Sequence, residues 1–205
     1  MKNFLINKCM SYINKNTDYD KIKLAEIKYG LESIYLTFSK IIVISILATI
    51  LGIFKEMLIY MLIYNLIRMP SFGLHATKSW ICLLSSTILF IGIPYLCIIL
   101  TIPTIIKISI GIIGTLLMIK NSPADTKKRP IVNKKRRKVY KIISTIVAII
   151  FTVCSIFIKN KFISNCFIFC LIMQNFMISP TIYKIFRLPY NNYITFLKEH
   201  PEYSN

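Results

Sequence analysis

Charged residues are few in this chain: 17% of 205 positions, where a soluble domain carries about a quarter. Acidic ones are scarcer still, eight Asp and Glu against 26 Lys and Arg. Histidine occurs twice, at His75 and His200, and the six cysteines form no CxxC pair and no Cys/His spacing of the zinc type, so no metal site is expected. The strict apolar/polar alternation of an outer-membrane barrel is absent. The N-terminus is polar and mixed in charge, without an apolar h-region or a small-residue cleavage site, so no cleavable signal peptide is expected.

What is present is hydrophobic sequence in long runs. Apolar types make up 55% of the chain, in runs at 36–54, 57–67, 81–100, 104–119, 142–158 and 162–179. Crossing a bilayer takes about 20 such residues. The runs 81–100 and 162–179 meet that length outright, and 104–119 and 142–158 meet it with snorkelling lysines at their ends. The stretch 36–67, interrupted by Lys55-Glu56, is short for two ordinary spans and reads as a hairpin with one short arm or as one span plus a re-entrant piece. Upstream, Phe4, Leu5, Ile6, Met10 and Ile13, then Ile22, Leu24, Ile27 and Leu31, alternate with charges as in one or two amphipathic helices on the membrane surface. The expected fold is an all-α membrane protein: a polytopic bundle of about six hydrophobic segments. It divides into surface helices at 1–35, the bundle at 36–183 with a basic loop at 120–141, and a tail at 184–205.

The net charge of +18 admits nucleic-acid binding, but the cations lie between the hydrophobic runs, where the positive-inside rule accounts for them. Ten basic residues between 120 and 141, opposed only by Asp125, make that loop cytoplasmic. The short turn Thr101-Ile102-Pro103 then returns segment 68–80 to the same side. The turn Lys159-Asn160-Lys161 returns the C-terminus there, and six lysines before residue 30 hold the N-terminus inside as well. Trp80, Tyr190 and Tyr193 fit interfacial aromatic belts. Asp125 reads as a turn residue or a charge partner of its basic neighbours.

Reactive groups concentrate between Arg68 and Cys82, at the cytoplasmic mouth of a span. A Cys/His pair is the minimal set for nucleophilic catalysis, since a thiolate attacks a carbonyl while an imidazole manages the proton. His75 and Cys82 are seven residues apart, which on one straight helix is about 10.5 Å along the axis, too far to cooperate. Cooperation requires His75 on a loop ahead of the helix. Pro70 and Gly73 are suitable breakers, and Ser79 could cap a helix carrying Cys82 near its positive N-terminal end.

The pattern Arg68, Gly73, His75-Ala76, Cys82 resembles the accessory gene regulator B (AgrB) family of bacterial membrane cysteine endopeptidases. Lys28-Tyr29-Gly30-Leu31-Glu32 is similar to the family's N-terminal motif. Ser122-Pro123-Ala124-Asp125-Thr126-Lys127-Lys128-Arg129-Pro130-Ile131 is similar to the segment after its middle hairpin. Leu74 departs from a Gly that family members often have before the His. The resemblance implies cleavage of a small AgrD-like precursor peptide through a thioester, which an internal Cys or Ser resolves into a thiolactone or lactone ring used in quorum sensing. It implies Cys82 as nucleophile and His75 as general base, with Glu32, Arg68 and Gly73 at positions needed for activity. Glu32 could orient the imidazole or meet substrate, and Arg68 could pair with Glu32 or a substrate carboxylate. The implied location is the bacterial cell membrane, without cofactor; the implied partners are the precursor peptide, the lipid bilayer and optionally a second copy of the chain. The competing readings are a small transporter or a membrane scaffold without covalent chemistry; Lys40, Lys107 and Glu56 are the only charges that could line a pore, and all lie near an interface.

Overall fold

The structure, a computed structural model, describes residues 2–17, 19–74, 79–126 and 130–200, the side chains of Lys2, Lys21, Ile22, Ser33 and Ser79 excepted. Among them there are helices and no strand; an isolated parallel bridge joins Phe72 and Ala124. Two compact units are formed, Met1–Gly52 and Ile53–Asn205. The division therefore falls inside the stretch 36–67 and not between the amphipathic region and the first apolar run.

In the N-terminal unit α1 (Lys2–Asn16) is followed by α2 (Lys21–Ile50). Asp20 caps α2 by accepting from the Lys23 N–H at 2.9 Å. Residues 21–35 form no separate surface helix. Between Lys28 and Leu36 only Gly30 opposes propagation, and a single glycine within a helix costs only about 1 kcal/mol. The resulting 30-residue helix is about 45 Å long, more than the hydrocarbon thickness, so its charged first turns extend beyond its apolar part. The helix stops at Leu51-Gly52, where Gly52 has φ +70.

The second unit is the bundle. Helix α3 (Phe54–Ser71) is followed by α4 (Ser79–Thr87), a π turn (Ile88–Gly92), α5 (Ile93–Ile99), α6 (Thr104–Asn121), α7 (Lys134–Phe157), α8 (Lys161–Ile178) and the short α9 (Pro180–Ile185) and α10 (Asn192–Glu199). Helices α4 and α5 continue one another through the π turn, where the Ile93 N–H reaches the Ile88 carbonyl. Pro94 explains the widening: it has no N–H, and its ring would meet the carbonyl four residues back.

Among the described residues, five helical stretches are long and apolar enough to cross a membrane: Lys23–Ile50, Trp80–Ile99, Thr104–Asn121, Lys134–Phe157 and Lys161–Ile178. The 36–67 stretch is thus resolved into two helices. The second, α3, is as long as the shortest of the five, at 18 residues, with Lys55, Glu56 and Arg68 confined to its ends. One face of it is buried, where Met57, Tyr60, Tyr64 and Ile67 face the bundle, and the helix packs against α7, α8 and the π turn; Leu62, Leu66 and Met69 on its other side are exposed. Helix α8 is the hub, touching α3, α5, α6 and α7.

The outer faces are apolar, as lipid requires. Ile112, Ile113 and Leu116 of α6 and Ile146, Ile149 and Ile150 of α7 are all exposed. Inside, lipid gives helices no hydrophobic reason to associate, so close packing and polar links hold them. Lys107 Nζ donates to Ser164 Oγ at 2.6 Å, the Asn175 amide to Gly114 O at 3.1 Å, and the Asn165 amide to Cys97 O and Leu100 O at 3.0 and 2.8 Å. Cys97, Cys166 and Cys170 are fully buried in this core as small apolar groups. Gly111 and Gly114 admit Thr152 of α7 and Leu171 of α8 so closely that a Cβ at either position would overlap them. Gly111→Val is expected to force α6 from α7 and destabilise the bundle by about 1–3 kcal/mol. A fall in the thermal transition of the detergent-solubilised protein checks this; an unchanged transition would mean that α6 does not depend on this contact.

Candidate functional site

The basic segment after α6 is only partly a loop. Helix α7 begins at Lys134, capped by Asn133, whose side chain accepts from the Arg136 N–H at 3.0 Å, so Lys134–Lys141 form its first two turns. The remaining link, from Ser122, runs beside the chain leaving α3. There the Ala124 N–H donates to Ser71 O at 3.1 Å, and the Gly73 N–H donates to Ala124 O at 2.8 Å. Two of the segments singled out in the sequence, 68–82 and 122–131, thus meet through their backbones at one end of the bundle.

Pro70 does not break α3. It is buried in the last turn, and the helix runs on to Ser71. The break comes at Phe72 and Gly73, both with positive φ, 57 and 113. For a phenylalanine that conformation costs on the order of 1–3 kcal/mol and persists only when the surroundings impose it. They do so here. Arg68 Nη1 donates to Phe72 O at 2.5 Å and Nη2 to Leu74 O at 2.8 Å, with a longer contact to Gly73 O at 3.5 Å. The fully buried Gln174 adds a second donor to Phe72 O at 2.8 Å, and the Leu74 N–H donates to Met177 O at 3.0 Å. The Phe72 ring stands edge-on to Tyr140 of α7, 5.0 Å between centroids.

This arrangement changes the expected part of Arg68. Its fork is turned onto the three carbonyls of the 72–74 turn, so it acts on the chain that leads to His75. Gly73 is required on two grounds, its φ and its crowding. A Cβ there would lie 2.5 Å from Arg68 Nη1 and 2.8 Å from the Met177 carbonyl oxygen. His75 lies outside the described residues. Ser79 is the first described residue of α4, and Cys82 stands half-buried on that helix. Glu32 is half-buried on α2 in the N-terminal unit.

Gln174, Met177 and Ala124 were not apparent as site residues from the sequence. Gln174 did leave a signal, an amide in the middle of an apolar run; Met177 and Ala124 act through backbone atoms and could leave none. Asp125 is more than a turn residue. It is 2% exposed, and its carboxylate accepts from the N–H groups of Asn192 at 3.0 Å and Tyr193 at 2.8 Å, with Arg137 Nη1 3.7 Å away. The Tyr193 ring lies 3.6 Å from the Arg137 guanidinium. The Tyr190 hydroxyl donates to Asn121 O at 3.2 Å, and that of Tyr183 to Asp125 O at 3.2 Å. Burial pushes both phenols up, against the smaller opposing pull of Arg68 on Tyr183 and of Arg137 on Tyr190, so both remain protonated donors at neutral pH.

Among the described residues no cluster of three or more His, Cys, Asp or Glu could hold a metal ion. No solved structure matches the chain. An AgrB-like protein of Clostridium acetobutylicum is 27% identical over 184 residues, covering 90% of this chain and 88% of its own length. The accessory gene regulator protein B of Staphylococcus carnosus is 36% identical over 150 residues (73% of this chain, 78% of its own), and that of Staphylococcus aureus 32% over 147 residues (71% and 79%). The family model described as accessory gene regulator B matches residues 6–178, which takes in α2, the Arg68–Cys82 segment and the link after α6, and the chain belongs to that family.

Proposed function

We propose that this protein is a membrane cysteine endopeptidase that trims the C-terminal part of a small AgrD-like precursor and yields a cyclic thiolactone or lactone autoinducing peptide for quorum sensing. The Cys82 thiolate attacks the scissile carbonyl, and the His75 imidazolium gives its proton to the leaving amine, so that the N-terminal fragment is held as a thioester. An internal thiol or hydroxyl of that fragment then attacks the thioester and passes its proton to His75; the ring closes, and Cys82 leaves as thiolate. Proton and electron pair balance in both steps, and no cofactor takes part. The observation that carries the reading is the pinned turn at 72–74. It ends α3 and separates that helix from α4, which carries Cys82, as the reading requires of a break ahead of the nucleophile.

The basic end of the bundle faces the cytoplasm in this reading. The starts of α4 and α7 and the ends of α6 and α8 share that end with Lys120 and Lys134–Lys138, as the positive-inside rule requires. Both chain termini are cytoplasmic. A transporter would need charges along a path through the bundle. Lys107 is buried, but its ammonium goes to Ser164, whose hydroxyl turns to Ser155 O at 2.5 Å, a local link near one membrane face.

Co-expression with a short AgrD-like precursor peptide, followed by mass measurement, tests the assignment. The expected result is a C-terminal fragment, and a precursor fragment on Cys82 when the ring-closing residue is removed. An intact precursor would overturn it. Alkylation gives an independent check against Cys9, which is the more exposed thiol. Cys82 is expected to react faster than Cys9 despite its partial burial; rates that follow exposure alone would count against a catalytic thiol.

A further inference from the structure

Asp125 sits where three elements meet, and its neighbour Ala124 touches the turn that leads to His75. A buried carboxylate is costly unless it is fully partnered. Here one oxygen takes the Asn192 N–H, and the other takes the Tyr193 N–H and, at 3.4 Å, that of Ile131. Arg137 stands beside that second oxygen and stacks on Tyr193. The Asp125 carbonyl receives the Tyr183 hydroxyl at 3.2 Å and the Asn192 amide at 3.3 Å. A turn residue needs none of this.

The helix that receives the carboxylate cannot stand alone. Helix α10 has eight residues, well below the length at which isolated helices form in water. Its own N-cap, Asn191, is left-handed with φ 56 and makes no side-chain cap bond. The cap comes from Asp125 instead, 67 residues earlier than Asn192 in the chain, and brings negative charge to the positive helix end. The Asp125 side chain therefore ties the start of α10 to segment 122–126. One residue before it, Ala124 exchanges backbone hydrogen bonds with Ser71 and Gly73.

We propose that Asp125 is a positioning residue: by capping α10 it locks segment 122–126 against the Phe72–Leu74 turn, and so sets the path of the chain from Arg68 to Cys82. Its effect on turnover rests on the peptidase assignment above; its effect on the tail and on the environment of Cys82 does not. Asp125→Asn keeps the size but turns an N–H donor toward the donors of α10 and Arg137. It is expected to expose residues 186–200 to limited proteolysis and to change the alkylation rate of Cys82 relative to Cys9 by about threefold or more. It should also lower kcat for the precursor about tenfold or more with KM within about twofold, as for misplaced catalytic groups. Asp125→Glu should recover part of each change.

Arg137→Gln is the second variant, should Asp125→Asn fail to insert. It leaves the carboxylate in place, removes its cation and the stack on Tyr193, and alters a partly exposed side chain. A freed tail with kcat and Cys82 alkylation unchanged in either inserted variant would overturn the proposal, since Asp125 would then hold only the tail. A tail that stays protected would overturn it as well. If the unmodified protein itself fails to process the precursor, the peptidase assignment fails, and the proteolysis and alkylation readouts still decide the role of Asp125.

Discussion

Cys82→Ala is expected to abolish cleavage of the precursor, by a factor on the order of 10^3 or more, with membrane insertion and thermal stability unchanged. Removing a nucleophile leaves only the residual catalysis of the remaining site, which is small wherever the groups act as one unit. The packing cost is low because Cys82 is half-buried on α4 and lies outside the fully buried cluster of Cys97, Cys166 and Cys170. Cys82→Ser is the sharper probe, since it keeps the size and loses the thiolate. Both variants should be read by precursor mass and by a thermal transition in detergent. Cleavage retained in a well-inserted Cys82→Ala protein would remove the peptidase assignment. Retention of cleavage in a Cys97, Cys166 or Cys170 variant is expected, because those thiols serve as apolar packing.

Gly73→Ala should come close to the nucleophile variant in its effect on activity, although glycine carries no chemistry. A Cβ at this φ of 113 is strained by itself, and it would meet Arg68 Nη1 at 2.5 Å and the Met177 carbonyl oxygen at 2.8 Å. The Met177 oxygen belongs to the backbone of α8 and cannot swing away; the Arg68 guanidinium can move only by giving up the carbonyls of Phe72 and Leu74. Either way the turn is displaced. A displacement of about 1 Å next to a catalytic group costs on the order of 10^2 in rate. The stability loss should stay near the 1–3 kcal/mol of one strained position, seen as a modest fall in the thermal transition. Turnover near the unmodified rate in Gly73→Ala would show that this turn does not place the reacting groups.

The two variants probe different levels of the molecule, and the levels were not equally legible beforehand. Membrane insertion could be read from six apolar runs, because the bilayer demands a fixed length of hydrocarbon-compatible helix whatever the tertiary fold. The break after α3 could be read from Gly73 but not from Pro70, which stays inside the helix. The continuity of residues 21–50 could not, because charge alternation marks a surface helix without marking where it ends. The burial of α3 was also hidden: Lys55, Glu56 and Arg68 make its ends look polar while Tyr60, Tyr64 and Ile67 carry the core contacts.

Taken alone, the order of residues determined that this chain is a helical membrane protein with one reactive segment, since hydropathy and the scarcity of charge are local properties that no packing can reverse. The tertiary structure decided what surrounds that segment. That Gln174 and Met177 close the turn from a helix about a hundred residues downstream and that Asp125 caps α10 are long-range hydrogen bonds, and the Arg68 fork is turned onto the carbonyls of the same turn. Each bond has a backbone group on at least one side, which every residue possesses, so sequence does not say which partners meet and only the fold selects them.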